Sequence, residues 1–192
     1  MGMTVKKRKD VDTKRVIMHR IADIRGGVSV MITEINNRDF LPEGTVISAP
    51  DTNAKCHVVK YAKLTANATN SATELKVAKG HEFKVGDYVM AATGAKAYAI
   101  SAIDTSNASY DTITVGTTLG VAIAEGAYIF QAAAESASNT SAFKYIPAAI
   151  TGTGVHVEAG DNVIVDAWVM AVTKGHALPA AIASLLKGII NY

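Results

Sequence analysis

The segment Val85-Gly86-Asp87-Tyr88-Val89-Met90 decides the fold of this chain, because it places a glycine turn directly before a short apolar run. Glycine permits the positive φ that a tight turn needs, while β-branched and aromatic residues favour a pleated strand. The same order recurs at Gly44, Gly126 and Gly160, at intervals of roughly 40 residues. This repetition predicts a protein that is mainly β.

The fold class that we expect is a set of small β-sandwich or barrel domains with an extended N-terminal arm and a short C-terminal helix. Hydrophobic residues make up 49% of the chain and charged residues 19%, which is enough apolar matter for a sizeable core. Two stretches of small polar residues, 65–73 and 133–142, suggest unit boundaries. The predicted units are a basic arm (1–27), a first β unit (28–64), a linker (65–73), a second β domain (74–132), a third β segment (133–176) and an amphipathic helix (177–192).

The N-terminal arm concentrates positive charge, whereas the rest of the chain is mildly acidic. We expect it to anchor the protein to a partner, since charged tails commonly serve binding. The arm has no aromatic residues on which bases could stack, so a protein partner is favoured over nucleic acid. The predicted anchoring residues are Lys6, Lys7, Arg8, Lys9, Lys14, Arg15, Arg20 and Arg25.

Residues 162–173 predict a strand that is apolar on both faces, which is typical of a strand covered on both sides. The covering layer is either this chain or another subunit. From residue 177 the apolar period changes to that of a helix, and about 12 residues is marginal for a helix that does not dock. The candidate subunit interface is Val163, Val165, Trp168, Met170, Leu178, Ile182, Leu185 and Ile189.

The residue types that usually form catalytic or metal-binding sites do not stand at the spacings that such sites need. None of the five histidines stands at metal-ligand spacing from another histidine or from Cys56, which we expect to be a small buried residue. Thr151-Gly-Thr-Gly-Val155 opens a strand-like segment and not the helix that a phosphate cradle needs, so it predicts a turn. No apolar run approaches the roughly 18 residues of a membrane span. We therefore expect no enzyme activity, no cofactor, no bound metal and no membrane partner.

Three stretches, Phe83–Met90, Ile100–Val115 and Thr118–Phe130, resemble a segment of tailed-bacteriophage virion proteins, among them head fibre and capsid decoration proteins. Pro42–Ser48 is similar to the strand entry in the same group. The resemblance covers about half of the chain, residues 40–132. It implies a structural protein without catalytic residues that sits on a capsid, commonly as a trimer.

These observations lead to one functional hypothesis and one alternative. The hypothesis is a head fibre or capsid decoration subunit that binds the capsid through its arm and oligomerises through its β body. Its location would be the virion, assembled in the cytoplasm of the bacterial host. The alternative is a carbohydrate- or cell-surface-binding β module, such as a receptor-binding tip, which would present aromatic side chains such as Tyr98 or Tyr110.

Overall fold

The computed structural model describes residues 15–36, 40–157 and 162–192. Over these residues the protein is mainly β, with several sheets, none of them closed into a barrel, and one short helix. The strands are β1 (Ile17–Asp23), β2 (Val28–Met31), β3 (Phe40–Leu41), β4 (Val46–Ser48), β5 (Lys55–His57), β6 (Tyr61–Lys63), β7 (Glu74–Ala78), β8 (Tyr88–Met90), β9 (Ala97–Asp104), β10 (Tyr110–Val115), β11 (Tyr128–Ala132), β12 (Pro147–Thr151), β13 (Val155–His156), β14 (Asn162–Val165), β15 (Ala167–Thr173) and β16 (Ile189–Asn191), and the helix is α1 (Ala180–Ala183).

Three of the four repeated glycines start strands as the sequence predicts. Gly44, Gly86 and Gly126 have φ values of 83°, 91° and 85°, a region that side chains with a Cβ rarely adopt. They stand directly before β4, β8 and β11. Gly160 lies outside the described residues. The glycine turns therefore position strands in two different parts of the molecule.

Residues 61–132 form what we call the inserted unit, which is built on one six-stranded sheet. The strand order is β6-β11-β8-β9-β10-β7, so every neighbour comes from this part of the chain. Its core includes Leu75, Phe83, Val89 and Ile113, all at most 1% exposed. Residues 65–73 belong to the same unit, because Ala68 forms a β-bridge with Ile123. The predicted linker is thus built into this unit.

The remaining described residues form what we call the framework, which is discontinuous in sequence. Strand β4 pairs with β12, and β2 pairs with β14, so residues before position 60 complete their sheets with residues after position 146. Strand β12 continues the sheet to β15, and β1 and β16 also pair with β15. The predicted third β segment and the first β unit up to residue 60 therefore lie together in the framework, whereas β6 at the end of that first unit belongs to the inserted unit.

A shared core joins the framework to the inserted unit. Met90 and Phe130 come from the inserted unit and belong to one buried cluster with Ile150 and Ile182 of the framework. Burial of such side chains contributes roughly 1.5–3 kcal/mol each. The helix α1 supplies Ile182 to this cluster, so its docking on the body stabilises a helix that is too short to be stable alone.

The last two predicted elements differ from the structure in extent. The apolar run 162–173 is divided at Asp166, whose carboxylate accepts a 2.8 Å hydrogen bond from Thr153 Oγ1, and the two halves belong to different sheets. The predicted helix at 177–192 is helical only over Ala180–Ala183, and β16 follows as a strand parallel to β15. None of the helices in the described parts of the chain is long and apolar enough to span a bilayer.

Candidate docking face

The sheet formed by β1, β15 and β16 carries exposed apolar side chains on one side. His19 is opposite Val172, which is opposite Ile190, and Ala22 is opposite Met170. Residues directly opposite each other on paired strands share a face, so they form two adjacent rows. We call this surface the docking face. Ile190 is 58% exposed and Met170 45%.

The other side of the same sheet is part of the core. Ile17 and Ala171 are buried in the cluster shared with the inserted unit, and Ile189, which is opposite Ala171, packs against that cluster. One face of the sheet thus holds the fold together, and stability does not require the other face to be apolar.

Strand β1 lies at the edge of the sheet and is irregular. Its register shifts between Ile17 and His19 and again between Arg20 and Ala22. Such bulges interrupt the alternation of buried and exposed residues. This explains why the four residues from Met18 to Ile21 are all exposed, with Met18 at 60% and Ile21 at 48%.

Four exposed basic residues stand near the ends of the strands that carry the docking face. Arg15 precedes β1 and Arg25 follows it, while Lys174 follows β15 and Lys187 lies shortly before β16; all four are exposed. We call these four residues the basic rim. The one acidic residue of β1 is Asp23, which is exposed. The surface therefore combines an apolar centre with a cationic border.

The structure separates the predicted anchoring residues into three groups. Lys6, Lys7, Arg8, Lys9 and Lys14 lie outside the described residues. Arg15 and Arg25 are in the basic rim. Arg20 is held by the framework instead, because its guanidinium lies 5.3 Å from the Trp168 ring centroid and donates a 3.0 Å hydrogen bond to the Gly152 carbonyl oxygen. Residues 17–23 of the predicted arm are thus a strand of the body.

The predicted interface residues also divide by burial. Val165 and Ile182 are in the core, and Val163, Trp168, Leu178 and Ile189 are half-buried. Met170 and Leu185 are exposed, and of these two Met170 belongs to the docking face. The sequence reasoning missed His19, Val172 and Ile190, because their shared face arises from strands far apart in sequence. The apolar residues of 189–191 fit a helical period equally well, so the sequence does not reveal this strand.

Leu185 lines a separate apolar groove beside α1. The groove has a volume of about 400 Å³ and is bordered by Phe143, Ile146 and Ala181. Ile146 is 67% exposed there. This groove is a second apolar surface of the framework.

A polar cluster joins the segment before β12 to the first strands of the framework. Glu34 Oε1 accepts a 2.6 Å hydrogen bond from the Tyr145 hydroxyl, and Glu34 Oε2 lies 3.1 Å from His57 Nδ1. The His57 ring stacks on Tyr145 with 4.1 Å between centroids, and its Nε2 lies 3.4 Å from Asp51 Oδ2. Lys144 Nζ is 3.8 Å from Glu34. The cluster fastens this segment to the framework.

Burial opposes ionisation of Glu34, but the hydrogen bond from Tyr145, the Lys144 charge and His57 together outweigh it. The pKa of Glu34 therefore lies below its usual value. Burial, then the bond to Glu34, raises the pKa of the Tyr145 hydroxyl. The arrangement favours an ionised carboxylate beside a neutral phenol.

We expect Glu34→Gln to lower the free energy of unfolding by about 1 kcal/mol at pH 7, because a charged acceptor is lost. A carboxyl with a lowered pKa in the folded state stabilises the protein above its unfolded pKa, and that stability disappears as the pH falls through the folded value. The variant should therefore lose less stability than the parent below about pH 4.5. Urea unfolding at pH 7 and at pH 3.5 measures both effects. Glu125→Gln, at an exposed turn position, is the control, and an identical pH profile in Glu34→Gln and the parent would contradict the prediction.

The histidines and glycines that the sequence singles out have structural roles here. His81 Nδ1 accepts a hydrogen bond from the Phe83 amide, and His156 packs edge-on against Phe40. A Cβ on Gly152 would lie 2.0 Å from Trp168 Nε1, so that glycine makes room for the indole. Cys56 is buried as predicted, and burial raises the pKa of its thiol. Within the described ranges no group of three or more His, Cys, Asp or Glu residues could hold a metal ion.

The aromatic residues named for the carbohydrate-binding alternative are not presented as a platform. Tyr98 is 9% exposed and belongs to the core of the inserted unit. Tyr110 is half-buried, and Lys76 Nζ lies 5.0 Å from its ring centroid. Neither ring offers the open face that stacking on a sugar would need.

Comparison of the chain with protein-family models, with curated proteins and with solved structures finds no match.

Proposed function

We propose that this chain is a structural protein of a bacteriophage virion, a head fibre or capsid decoration subunit that attaches through the docking face. The single observation that carries the proposal is the exposed apolar face of β1, β15 and β16 inside its basic rim. The resemblance of residues 40–132 to virion proteins supplies the biological setting. The trimeric state that this resemblance implies is part of the same proposal.

An apolar face on a sheet needs a covering layer. A sheet with one solvated face ordinarily alternates apolar and polar residues, so that the outer face is polar. Here the outer rows contain Met170, Val172 and Ile190 instead. Contiguous exposed apolar side chains rimmed by polar ones mark protein interaction sites. The face is suited to burial against another protein.

The basic rim indicates which kind of protein covers the docking face. Arg15, Arg25, Lys174 and Lys187 would repel an identical face brought against them, whereas an acidic surface would be attracted. We therefore assign the docking face to an acidic surface of the capsid, and we place the contacts between subunits elsewhere on the body.

The docking experiment compares Met170→Asp/Ile190→Asp with the parent in co-sedimentation with phage heads assembled without this chain. We expect at least about a 100-fold loss of affinity, because two apolar contacts become buried carboxylates facing an acidic surface. Ile164→Asp is the matched control, since Ile164 is 72% exposed on β14, in a different sheet. Circular dichroism checks that both variants are folded. Undiminished binding of the double variant would overturn the role of this face.

A further inference from the structure

Lys60 is the one lysine or arginine among the described residues whose side chain is fully buried. The side chain is 1% exposed, and its Nζ lies 2.8 Å from Asp87 Oδ2, which is itself 13% exposed. Lysine is almost never buried to this extent unless it is paired. Lys60 belongs to the framework and Asp87 to the inserted unit, so the pair crosses the junction between them.

The surroundings of Asp87 hold its carboxyl group in one orientation. Gln131 Nε2 donates a 2.8 Å hydrogen bond to Asp87 Oδ1, and the Lys84 amide donates one of 2.9 Å to Oδ2. The backbone amide of Gln131 also donates a 3.0 Å hydrogen bond to the Lys60 carbonyl oxygen, which fixes the backbones of these two residues side by side. The site is therefore preorganised by backbone contacts.

Two buried hydrogen-bonding groups in this site are incompletely used by the described residues. Gln131 Oε1 is buried and accepts no hydrogen bond from them. Lys60 Nζ, which can donate three hydrogen bonds, makes its one hydrogen bond to Asp87. An unused buried polar atom costs about 1–3 kcal/mol. The ion pair alone therefore leaves hydrogen-bonding atoms of Gln131 and Lys60 unused.

Burial also favours the neutral form of the Lys60 amine. Desolvation lowers the pKa of Lys60, although the hydrogen bond and charge of Asp87 oppose that shift. Moving one proton along the 2.8 Å contact converts the ammonium and carboxylate into an amine and a carboxylic acid. This neutral pair avoids the large desolvation penalty of two buried ions. The nitrogen lone pair of this amine then faces the carboxyl group of Asp87.

We propose that Lys60 Nζ and Asp87 Cγ join in an intramolecular isopeptide bond. The Nζ lone pair forms the new bond to Cγ, and the bond from Cγ to Oδ2 breaks. Oδ2 leaves as water with two protons that come from the amine and the carboxylic acid. One ammonium and one carboxylate thus give one amide and one water molecule, without an oxidant, a reductant or a co-reactant.

Gln131 has a specific part in this reaction. Its Nε2 holds Oδ1, which remains as the amide oxygen and gains negative charge while Nζ attacks. The bond would replace an ammonium that uses one of its three hydrogens by an amide with a single N–H. It would also link the framework covalently to the inserted unit.

A second lysine–aspartate pair provides an internal control. Lys79 Nζ lies 2.6 Å from Asp111 Oδ1, but the Lys79 side chain is 38% exposed. Water solvates the Lys79 side chain, so this pair lacks the burial on which the proposed reaction at Lys60 depends. The two pairs have the same residue types and similar distances, so they differ chiefly in burial. We expect a bond at Lys60–Asp87 and none at Lys79–Asp111.

The test is the mass of the purified, folded chain measured after denaturation. We expect the parent to be lighter than its sequence by one water molecule, and we expect Lys60→Met to have its full mass. Asp87→Asn would release ammonia in place of water, so its linked product should have the same mass as the linked parent. Tandem mass spectrometry of proteolytic fragments should show a branched peptide that joins the segments containing Lys60 and Asp87, with Lys79 and Asp111 unmodified.

Two results would overturn the proposal. One is a parent chain that keeps its full mass after prolonged incubation in the folded state. The other is a loss of water that persists in Lys60→Met, since this would place the dehydration at another residue. The first of these readouts uses the parent alone, so it does not depend on whether the variant folds well.

Discussion

Phe83→Ala should lower the free energy of unfolding by about 3–5 kcal/mol, since it removes an aromatic ring from a close-packed core. Phe83 is 0% exposed in the core of the inserted unit, and His81 packs beside its ring with 5.9 Å between centroids. The surrounding strands can close over the cavity only in part, because all of them are fixed in one hydrogen-bonded sheet. Urea unfolding followed by circular dichroism measures the loss.

Val85→Ala is the matched control for this substitution. Val85 stands two positions further along the chain and is 61% exposed, so its truncation should change stability by no more than about 0.5 kcal/mol. Amide hydrogen exchange shows which part of the chain is destabilised by Phe83→Ala. Protection from exchange should fall most in residues 61–132. Equal losses in the two variants would mean that the core of this unit is elsewhere.

Gly188→Ala should destabilise the protein by about 1–3 kcal/mol, because its methyl group has no space. A Cβ at Gly188 would lie 2.3 Å from the Val169 carbonyl oxygen and 2.9 Å from Met170 Cγ. The first of these atoms is backbone in β15 and cannot rotate away. The Gly188 carbonyl oxygen also accepts a hydrogen bond from the Ala171 amide, so relieving the clash would pull β16 from its partner.

The measurement for Gly188→Ala is urea unfolding monitored by fluorescence of Trp168, the one tryptophan of the chain, which lies in β15. Gly116→Ala is the control, because a Cβ there has no heavy atom within 4 Å. A loss at Gly188 no larger than that at Gly116 would mean that β16 does not pack closely on β15. Displacement of β16 also moves Ile190, so if the docking face acts as we propose, Gly188→Ala should also weaken attachment.

The sequence predicted the β content well because the signals for it are local. A glycine with positive φ followed by β-branched residues specifies a turn and a strand without reference to the rest of the chain, as Gly86 and β8 show. The β10 segment likewise alternates half-buried and buried residues, with Ile113 and Val115 on its buried face. These features depend on neighbours within a few residues.

What the sequence could not predict depends on pairing between distant segments. The spacing of Leu178, Ile182, Leu185 and Ile189 fits a helix, yet Ile189 is in a strand because the edge of β15 is open to it. A parallel pairing of this kind has no local signal. The division of 162–173 at Asp166 has the same origin, since β14 and β15 have different partners.

The candidate site was only partly predictable for the same reason. The sequence singles out basic residues near the N-terminus and apolar residues in 162–173. Their arrangement on one surface follows from the antiparallel pairing of β1 with β15, which joins residues about 150 positions apart. The buried Lys60–Asp87 pair had no sequence signal at all, because a lysine in a strand-rich segment is ordinarily exposed.

The strands by which the chain enters and leaves the inserted unit have a practical consequence. Tyr61 in β6 is directly opposite Phe130 in β11, so the polypeptide crosses into residues 61–132 and back again at neighbouring points. A segment whose ends are adjacent can be exchanged for another without moving the chain on either side. Because Met90 and Phe130 complete the core that this portion shares with the framework, a foreign domain can replace it only if it supplies apolar side chains at the same junction.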